Sequence, residues 1–462
     1  MDVFYDMPCL TERSAPLKGV YIQKKFLKSA DKRIIGQYLQ KLIQYNQDAF
    51  NFLGVTAQII NSDLNASLSF CSSNYIGCVP LRASDTGKQI GDFIVNPRYV
   101  NKDKYQDYIG ILNLLDEQIQ PEFLEGLNLT SGKIFRPPLY LEAIRFINAL
   151  EDLAKQTWQK FEVIEKNTSQ PVGQVNWDKY SKLSYKPESL LLFPQRKNTL
   201  TENHYEYAQI KYAFNLCKRE ILGSNTPTKI KFRMNSKIEF LSAKLNKHIP
   251  LKTKAIPIKS SDNLRVKLCK LQANKILNIE LSACPGWRLD AANIFEKYVQ
   301  HVFIEVSKEL GGKLLPNLKL PGQQTNRFSW ELKYLEPDAL YQKGNLSIFI
   351  DAKYKSHLFN LYSTSEKLES EHRHDLHQIM AYLSFSKHAT KYGMLCYPSD
   401  KVQHKTLVYK NSFGSTTNKI ILIGLPLKVE SYAEIKSLLS KLISELEIES
   451  NHLMQAISHQ IT

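Results

Sequence analysis

The sequence predicts an α/β fold, with an α+β region at its amino-terminal end. Apolar residues recur at helical spacing from Arg288 to Leu310, and helices are also expected at 368–387 and 432–460. Four runs have the length of a strand and are either alternating or apolar throughout, which predicts a mixed sheet together with these helices. The runs cover 333–341, 346–354, 392–397 and 419–424. We therefore expect the carboxy-terminal region to be a mixed sheet flanked by helices.

The preceding part of the chain predicts smaller elements. An amphipathic helix is expected from Ala30 to Leu53, and Gly54 marks its end. Short strands separated by turn-forming residues follow between 55 and 95. Residues 166–186 are rich in Asn, Ser, Gln and Pro and predict a linker or an exposed loop. Further helices are predicted, and they cover 103–118, 139–161 and 202–222.

A chain of 462 residues is too long for one compact core. We expect three domains. Residues 1–165 would form an α+β domain, 166–280 a helical and basic linking region, and 281–462 the α/β domain with the mixed sheet.

The formal charge of +16 indicates a polyanionic partner. Thirteen basic residues and only two acidic ones, Glu239 and Asp262, lie between Lys229 and Lys275. Apolar residues alternate with them, so this segment does not resemble a disordered tail. Contact with a DNA backbone and an ordinary solvated surface are equally good interpretations of this pattern.

The composition indicates a cytoplasmic protein that does not enter a membrane. The first six residues contain two acids and no apolar stretch of a secretory signal. The longest apolar runs, such as 420–427, have only the length of a strand. Seven cysteines are scattered without a Cys-x-x-Cys pair, which favours reduced thiols.

The candidate catalytic residues lie on a predicted β-hairpin. Asp338 lies in its first strand, 333–341, while Asp351 and Lys353 share one face of the second strand because side chains alternate. Two carboxylates beside an apolar strand need compensation, and Mg²⁺ or Mn²⁺ would provide it. Lys353 would then orient the attacking water and stabilise charge that develops on phosphorus. The alternative is a surface hairpin with a salt bridge.

The hairpin resembles the signature of the PD-(D/E)xK nucleases. Pro337-Asp338 is followed, after twelve residues, by Asp351-Ala352-Lys353. The resemblance implies that Glu296, on the helix before the hairpin, lies beside the metal together with Asp338 and Asp351. Gln378 and Tyr382, four residues apart on the helix after the hairpin, are similar to the Q-x-x-x-Y element of several such families. Alternatively, Glu296 is a solvated helix residue, and Gln378 and Tyr382 are packing residues.

The segments 350–355 and 375–382 are similar to the McrC family, nuclease subunits of modification-dependent restriction systems, and the similarity extends from about residue 189 to the carboxy terminus. This resemblance implies a Mg²⁺-dependent DNA endonuclease that leaves 5′-phosphate ends. It implies two partners: DNA, double-stranded and modified, and a hexameric McrB-like AAA+ GTPase or ATPase. By analogy, residues 1–165 would dock into the partner ring and stimulate it. The run 85–88, Asp-Thr-Gly-Lys, lacks the remaining P-loop residues and predicts a surface turn.

Two other functions remain open. The first is a stand-alone nuclease of repair or of a mobile element, which would cut without a motor. The second is a basic, non-catalytic adaptor that bridges a motor to DNA.

Overall fold

A computed structural model describes residues 3–15, 32–60, 67–99, 105–115, 119, 121–129, 139–223, 226, 228–281, 285–322, 332–360, 364–387, 390–410 and 416–461. The chain divides into two compact units. The first comprises Met1–Pro137 together with Gly286–Thr462, and the second comprises Pro138–Pro285. The three domains expected from the sequence follow other boundaries, because the structure groups the amino-terminal region with the carboxy-terminal one.

Two sheets form the amino-terminal part of the first unit. The larger has strand order β1-β6-β5-β11-β7, and the smaller has order β2-β4-β3. Helix α1 (Lys32–Leu53) packs on β3 and β5, and Phe50, Phe70 and Phe93 meet with ring centroids 5.1 to 5.7 Å apart. The strands are β1 (Val3–Pro8), β2 (Glu12–Ala15), β3 (Val55–Ile60), β4 (Ser67–Ser72), β5 (Tyr75–Arg82), β6 (Gln89–Asn96), β7 (Glu122–Asn128) and β11 (Pro285–Asp290), and helix α2 is Tyr105–Leu115.

The carboxy-terminal part of the first unit contains the predicted mixed sheet. Its six strands have the order β12-β15-β16-β17-β19-β18, in which β16, β17 and β19 run parallel and the others antiparallel. The strands are β12 (Lys313–Pro316), β15 (Ala339–Lys343), β16 (Leu346–Ala352), β17 (Thr390–Pro398), β18 (Gln403–Lys410) and β19 (Thr417–Leu425); β13 (Leu320–Pro321) and β14 (Tyr334–Leu335) form a separate short pair.

Helices cover both faces of this sheet, which confirms the predicted fold class. Helix α9 (Glu366–Leu383) packs on the face that carries Phe349, and its Ile379 is fully buried there. Helices α8 (Ala291–Leu310) and α10 (Tyr432–Ile461) pack on each other and on β16. Because Ile348 and Ile350 are fully buried on the opposite face of the strand, these two helices cover that face.

Strand β11 connects the two parts of the first unit. It pairs with β5 between Trp287 and Asp290 and leads directly into α8. Asp290 caps this helix by accepting from the backbone N–H groups of Ala292 and Asn293, and Asn74 of the amino-terminal part donates to the same carboxylate at 2.7 Å. The position of α8, which approaches the hairpin of β15 and β16, is therefore fixed from the amino-terminal sheet.

The second unit is a cluster of helices with a projecting sheet. Helices α3 (Leu139–Ala154), α5 (Tyr205–Leu222), α6 (Thr228–Lys244) and α7 (Leu264–Leu281) pack on one another. The sheet has order β8-β10-β9 and consists of β8 (Lys160–Thr168), β9 (Gln174–Val175) and β10 (Phe193–Thr201), with helix α4 (Trp177–Leu183) between β9 and β10.

Several predicted bounds differ from the structure. The helix expected at 139–161 ends at Ala154, and β8 begins at Lys160, because Lys160–Phe161–Glu162 alternate along an antiparallel strand paired with β10. The linker expected at 166–186 is instead the end of β8 followed by β9 and α4. The turn predicted at 85–88 is confirmed, with Gly87 at φ +64°. Among the described helices, none combines the length and the apolar character that a membrane crossing needs.

The basic segment of the second unit is partly neutralised by acids from outside it. Lys237 lies 2.8 Å from Glu151, Lys247 pairs with Glu202, and Lys259 lies 3.4 Å from Glu206. Lys270 is fully buried and lies 2.7 Å from Glu206. The segment is therefore less positive in the fold than its sequence indicates.

Candidate active site

The two aspartates meet because of the hairpin register. Ala339 pairs with Ile350, and a two-residue turn with Gly344 at φ +54° closes the hairpin between Lys343 and Leu346. Asp338 and Asp351 therefore occupy the next position of each strand. An Asp338 oxygen, Oδ2, accepts a hydrogen bond of 2.6 Å from the backbone N–H of Ala352. The spacing of twelve residues in the sequence is thus the length of this hairpin.

Burial and neighbouring carboxylates disfavour the ionised forms of Asp338 and Asp351. Asp351 is 2% exposed, and Asp338 is partly buried. Loss of hydration and the charge of Asp351 raise the pKa of Asp338, with a smaller contribution from Glu296. Loss of hydration also raises the pKa of Asp351, although Lys353 opposes this effect. Ionisation of both carboxylates is therefore unfavourable, and a bound cation would make it less so.

A chain of hydrogen bonds fixes the ammonium of Lys353. Its Nζ lies 2.6 Å from Oδ2 of Asp351 and donates to Oε1 of Gln378 at 2.8 Å. Nε2 of Gln378 donates to the Tyr382 hydroxyl at 2.7 Å, and this hydroxyl donates to the carbonyl of Glu336 at 3.2 Å. The structure thus brings the predicted Gln378 and Tyr382 to Lys353, where they determine its position.

Glu296 lies at the edge of the site. Its Oε1 accepts from Gln300 at 3.1 Å and from Asn317 at 3.2 Å, and its side chain is 26% exposed. Nε2 of Gln300 also donates to the backbone carbonyl of Asp338 at 2.8 Å, as does the backbone N–H of Asn317 at 3.0 Å. Glu296 is therefore linked to the turn that carries Asp338 through these two amides.

A second ion pair lies two residues after Lys353. Nζ of Lys355 lies 2.6 Å from Asp375, which is 1% exposed and also accepts from the Tyr397 hydroxyl at 3.1 Å. Between the two lysines, Tyr354 packs against Tyr99 of the amino-terminal part with ring centroids 4.9 Å apart. The segment that follows Asp351 is therefore held by the ion pair of Lys355 with Asp375 and by the contact of Tyr354 with Tyr99.

The donor atoms present fit a hard divalent cation. Asp338 and Asp351 offer carboxylate oxygens, which such ions prefer, and a bound cation would offset the burial that raises their pKa values. Within the described residues, three or more Asp, Glu, His or Cys side chains do not converge into a group that could hold a metal ion. The two aspartates are thus the residues that would hold a cation, while the predicted role of Glu296 as a third ligand stays a prediction.

Sequence reasoning did not identify Gln300, Asn317, Lys355 or the role of Asp375. Gln300 lies one helical turn after Glu296 on α8, a spacing that could have indicated a shared face. Asn317 adopts a positive φ of 49°, which Asn tolerates better than most residues. The contact of Lys355 with Asp375 joins residues twenty positions apart on different elements, and no local pattern signals it.

The fold and the site define the structural class of the protein. It is an α/β protein whose central hairpin brings two carboxylates and a lysine together. The chain belongs to the McrBC family. Residues 72–398, more than two thirds of the chain, match the model of the family described as McrBC 5-methylcytosine restriction system component. The chain is therefore a component of a McrBC-type restriction system, and the matched range includes every predicted site residue.

Two solved structures are remotely similar. One is a refined half-complex from the tetradecameric assembly of Thermococcus gammatolerans McrB AAA+ hexamers with bound McrC, at 12% identity over 96% of this chain and 100% of that chain, with a TM-score of 0.47. The other is the cryo-EM structure of the Thermococcus gammatolerans McrBC complex, at 14% identity over 66% of this chain and 88% of that chain, with a TM-score of 0.29. No curated protein matches the sequence.

Proposed function

We propose that this chain is the Mg²⁺-dependent DNA endonuclease subunit of a McrBC-type restriction system. The observation that supports the proposal is the position of Lys353, whose ammonium lies 2.6 Å from Asp351 and 2.8 Å from Gln378 beside the carboxylate of Asp338. A lysine fixed next to two acids with raised pKa values is typical of a hydrolytic site and is costly as a purely structural feature.

The chain's own residues have distinct tasks in this proposal. A divalent cation bound by Asp338 and Asp351 would supply Lewis-acid polarisation of the scissile phosphate. Lys353 holds a positive charge where negative charge develops on the phosphate oxygens, and Gln378 and Tyr382 keep it there. The amides of Gln300 and Asn317 fix the backbone at Asp338.

The proposed partners are DNA and a hexameric AAA+ GTPase or ATPase. Membership of the McrBC family supports both, since a restriction system acts on DNA and the resemblance to McrC implies a motor subunit. The refined half-complex of Thermococcus gammatolerans contains McrB AAA+ hexamers with bound McrC. The motor would supply nucleotide hydrolysis, and this chain would supply the cleavage site.

Plasmid cleavage in Mg²⁺ tests the proposal. The wild type, Asp351→Asn and the control Asp400→Asn, an exposed aspartate of the same unit, are each incubated with and without the AAA+ partner and GTP or ATP. We expect cleavage that needs the partner, is lost in Asp351→Asn and is retained in the control. Cleavage in Mn²⁺ should follow the same pattern.

Other results would identify the alternatives. Cleavage without any partner, still lost in Asp351→Asn, would favour a stand-alone nuclease of repair or of a mobile element. Equal behaviour of all three proteins under every condition, with DNA binding retained, would contradict the nuclease proposal and favour the non-catalytic adaptor.

A further inference from the structure

The projecting sheet of the second unit contains a positively charged cavity. It has a volume of about 520 Å³ and lies between β8, β10 and α4. Four basic side chains and one acidic side chain line it, which gives a net charge of +3. The basic residues are Lys166, Lys179, Lys182 and Arg196, and the acid is Glu165.

The basic residues of the cavity differ in their partners. Lys179 and Arg196 both bind Glu165, at 2.7 and 2.6 Å, and their hydrogen bonds lower the pKa of this carboxyl. Lys166 and Lys182 form no ion pair with any residue that the structure describes. Two exposed lysines that line the cavity therefore have no acidic partner among the described residues, which favours an anionic ligand.

The floor of the cavity is held by buried polar contacts. Gln195 is 5% exposed, accepts from the backbone N–H of Val172 at 2.7 Å and donates to the carbonyl of Gln170 at 3.0 Å. The backbone N–H of Asn176 donates to the carbonyl of Pro194 at 2.7 Å. The loop between β8 and β9 and the start of α4 are thus tied to β10, so the cavity has a defined shape.

An exposed aromatic residue, Trp177, directly follows Asn176 in the sequence. Trp177 is 63% exposed, and its ring meets Tyr180 edge to face at 5.8 Å. Tyr180 in turn stacks on Phe193, with ring centroids 5.1 Å apart and an interplanar angle of 11°. Trp177 is therefore a large exposed ring that packs on Tyr180 at the start of α4, the helix whose Lys179 and Lys182 line the cavity.

We propose that this cavity binds the phosphates of a single-stranded DNA segment and that Trp177 stacks on one of its bases. Basic grooves with exposed aromatic rings bind unpaired strands in this way, because every base offers a flat face. The charge of the cavity and its neutral polar residues Asn167 and Asn176 favour phosphate over a protein surface. The inference rests on the proposed role in DNA metabolism, but the binding needs neither Asp338 nor Asp351.

Fluorescence anisotropy with a fluorescein-labelled fifteen-nucleotide oligo(dT) in EDTA tests the inference, because EDTA prevents cleavage. The full-length wild type is compared with Lys166→Glu/Lys182→Glu and with Trp177→Ala. The matched controls are Lys252→Glu/Lys254→Glu, the same charge change on exposed lysines of the basic segment, and Phe232→Ala, an 87% exposed aromatic residue of α6.

The charge variant should weaken binding at least ten-fold and reduce the slope of log K against log salt by about 1.4, as expected for two lost phosphate contacts. Trp177→Ala should weaken binding about ten-fold with little change of this slope. Both controls should bind like the wild type. Thermal melting of each variant verifies that it is folded.

Three outcomes would overturn the inference. In the first, both cavity variants bind the oligonucleotide like the wild type. In the second, the Lys252→Glu/Lys254→Glu control loses binding and the cavity variants do not. In the third, the cavity variants lose only their association with a protein partner. Plasmid cleavage that depends on Asp351 would persist in all three cases, which separates this inference from the proposed nuclease function.

Discussion

Gln378 lies opposite Lys353 and accepts a hydrogen bond of 2.8 Å from its ammonium. The two residues belong to different elements, since Gln378 is on α9 and Lys353 follows β16. Lys353 is only 15% exposed at its side chain, so the hydrogen bond and the contact with Asp351 limit its rotamers. Gln378 therefore acts on the proposed reaction through Lys353, as a positioning residue.

Gln378→Ala should lower kcat for plasmid cleavage by about 10- to 100-fold with little change in KM, because the acceptor that orients Lys353 is lost while the lysine remains. Gln378→Glu retains an oxygen acceptor and should recover part of kcat. Steady-state cleavage kinetics at several DNA concentrations separate kcat from KM.

Tyr382→Phe tests the hydrogen bond that Gln378 donates to the Tyr382 hydroxyl. The ring is 4% exposed and would stay in the core, while the contacts to Gln378 and to the carbonyl of Glu336 would be lost. We expect a smaller loss of kcat, about 3- to 10-fold. A change in KM with an unaltered kcat in both variants would contradict the positioning role and favour DNA contact.

Lys353 and Lys355 belong to two separate ion pairs, and only the pair of Lys353 is assigned to the proposed reaction. Asp375→Ala leaves Lys355 and the Tyr397 hydroxyl without their buried acceptor and should lower the free energy of unfolding by about 3–5 kcal/mol. Lys353→Ala should abolish cleavage and should also lower the free energy of unfolding, because it leaves the buried carboxylate of Asp351 without the ammonium that lies 2.6 Å from it. Urea unfolding and plasmid cleavage measure both quantities.

Glu369→Gln, an exposed residue of α9, is the control for Asp375→Ala and should leave stability unchanged. Equal stability losses for Asp375→Ala and Glu369→Gln would show that the buried ion pair contributes no stability.

The sequence predicted the parts of the site that follow from local geometry. Alternation along the second strand places Asp351 and Lys353 on one face, and helical spacing places Gln378 and Tyr382 on another. The length of the hairpin brings Asp338 to Asp351. These relations depend on the side-chain period of strands and helices and on the length of the hairpin, and both can be read from the sequence.

The parts that the sequence did not predict depend on tertiary contacts. Strand β18 was missed because it is an edge strand with a largely exposed, polar sequence, so that no apolar alternation marks it. Strand β11 was assigned to the start of a helix, because its pairing partner β5 lies about two hundred residues earlier in the chain. The segment expected to be a linker at 166–186 is ordered by backbone contacts to β10 that composition does not reveal.

Asp338→Asn should stabilise the protein in EDTA at pH 7 by about 1–3 kcal/mol. The raised pKa of Asp338 means that the folded state favours its protonated form. Its contribution to stability is therefore complete below the ordinary aspartate pKa of about 3.9 and is lost as the pH rises through the higher folded value. The difference between Asp338→Asn and the wild type should accordingly shrink toward pH 4.

Thermal melting between pH 4 and pH 8 in EDTA measures this effect, with Asp400→Asn as the exposed control. Added Mg²⁺ should raise the melting temperature of the wild type more than that of Asp338→Asn, because the variant loses a carboxylate oxygen donor. A variant that melts below the wild type at pH 8 in EDTA would show that the two carboxylates do not oppose each other.

Glu206→Gln should destabilise the second unit strongly. Glu206 is fully buried, and Lys160 and Lys270 lie 2.5 and 2.7 Å from its carboxylate, while Lys270 itself is fully buried. Burial opposes ionisation of Glu206, but the hydrogen bonds from the two lysines outweigh it and lower its pKa to about 2. Without this charge, Asp262, at 2.6 Å, is the one acidic partner that Lys270 keeps among the described residues.

We expect Glu206→Gln to lower the free energy of unfolding by about 3 kcal/mol at pH 7, as measured by urea unfolding followed by tryptophan fluorescence, to which Trp158 of this unit contributes. Because the pKa of Glu206 is lowered on folding, the stability it contributes is present above about pH 4.5 and is lost as the pH falls toward 2. The difference between variant and wild type should therefore narrow in acid. Glu188→Gln, an exposed control in the same unit, should match the wild type at both pH values, and a Glu206→Gln curve that coincides with it would refute the stabilising role of the buried network.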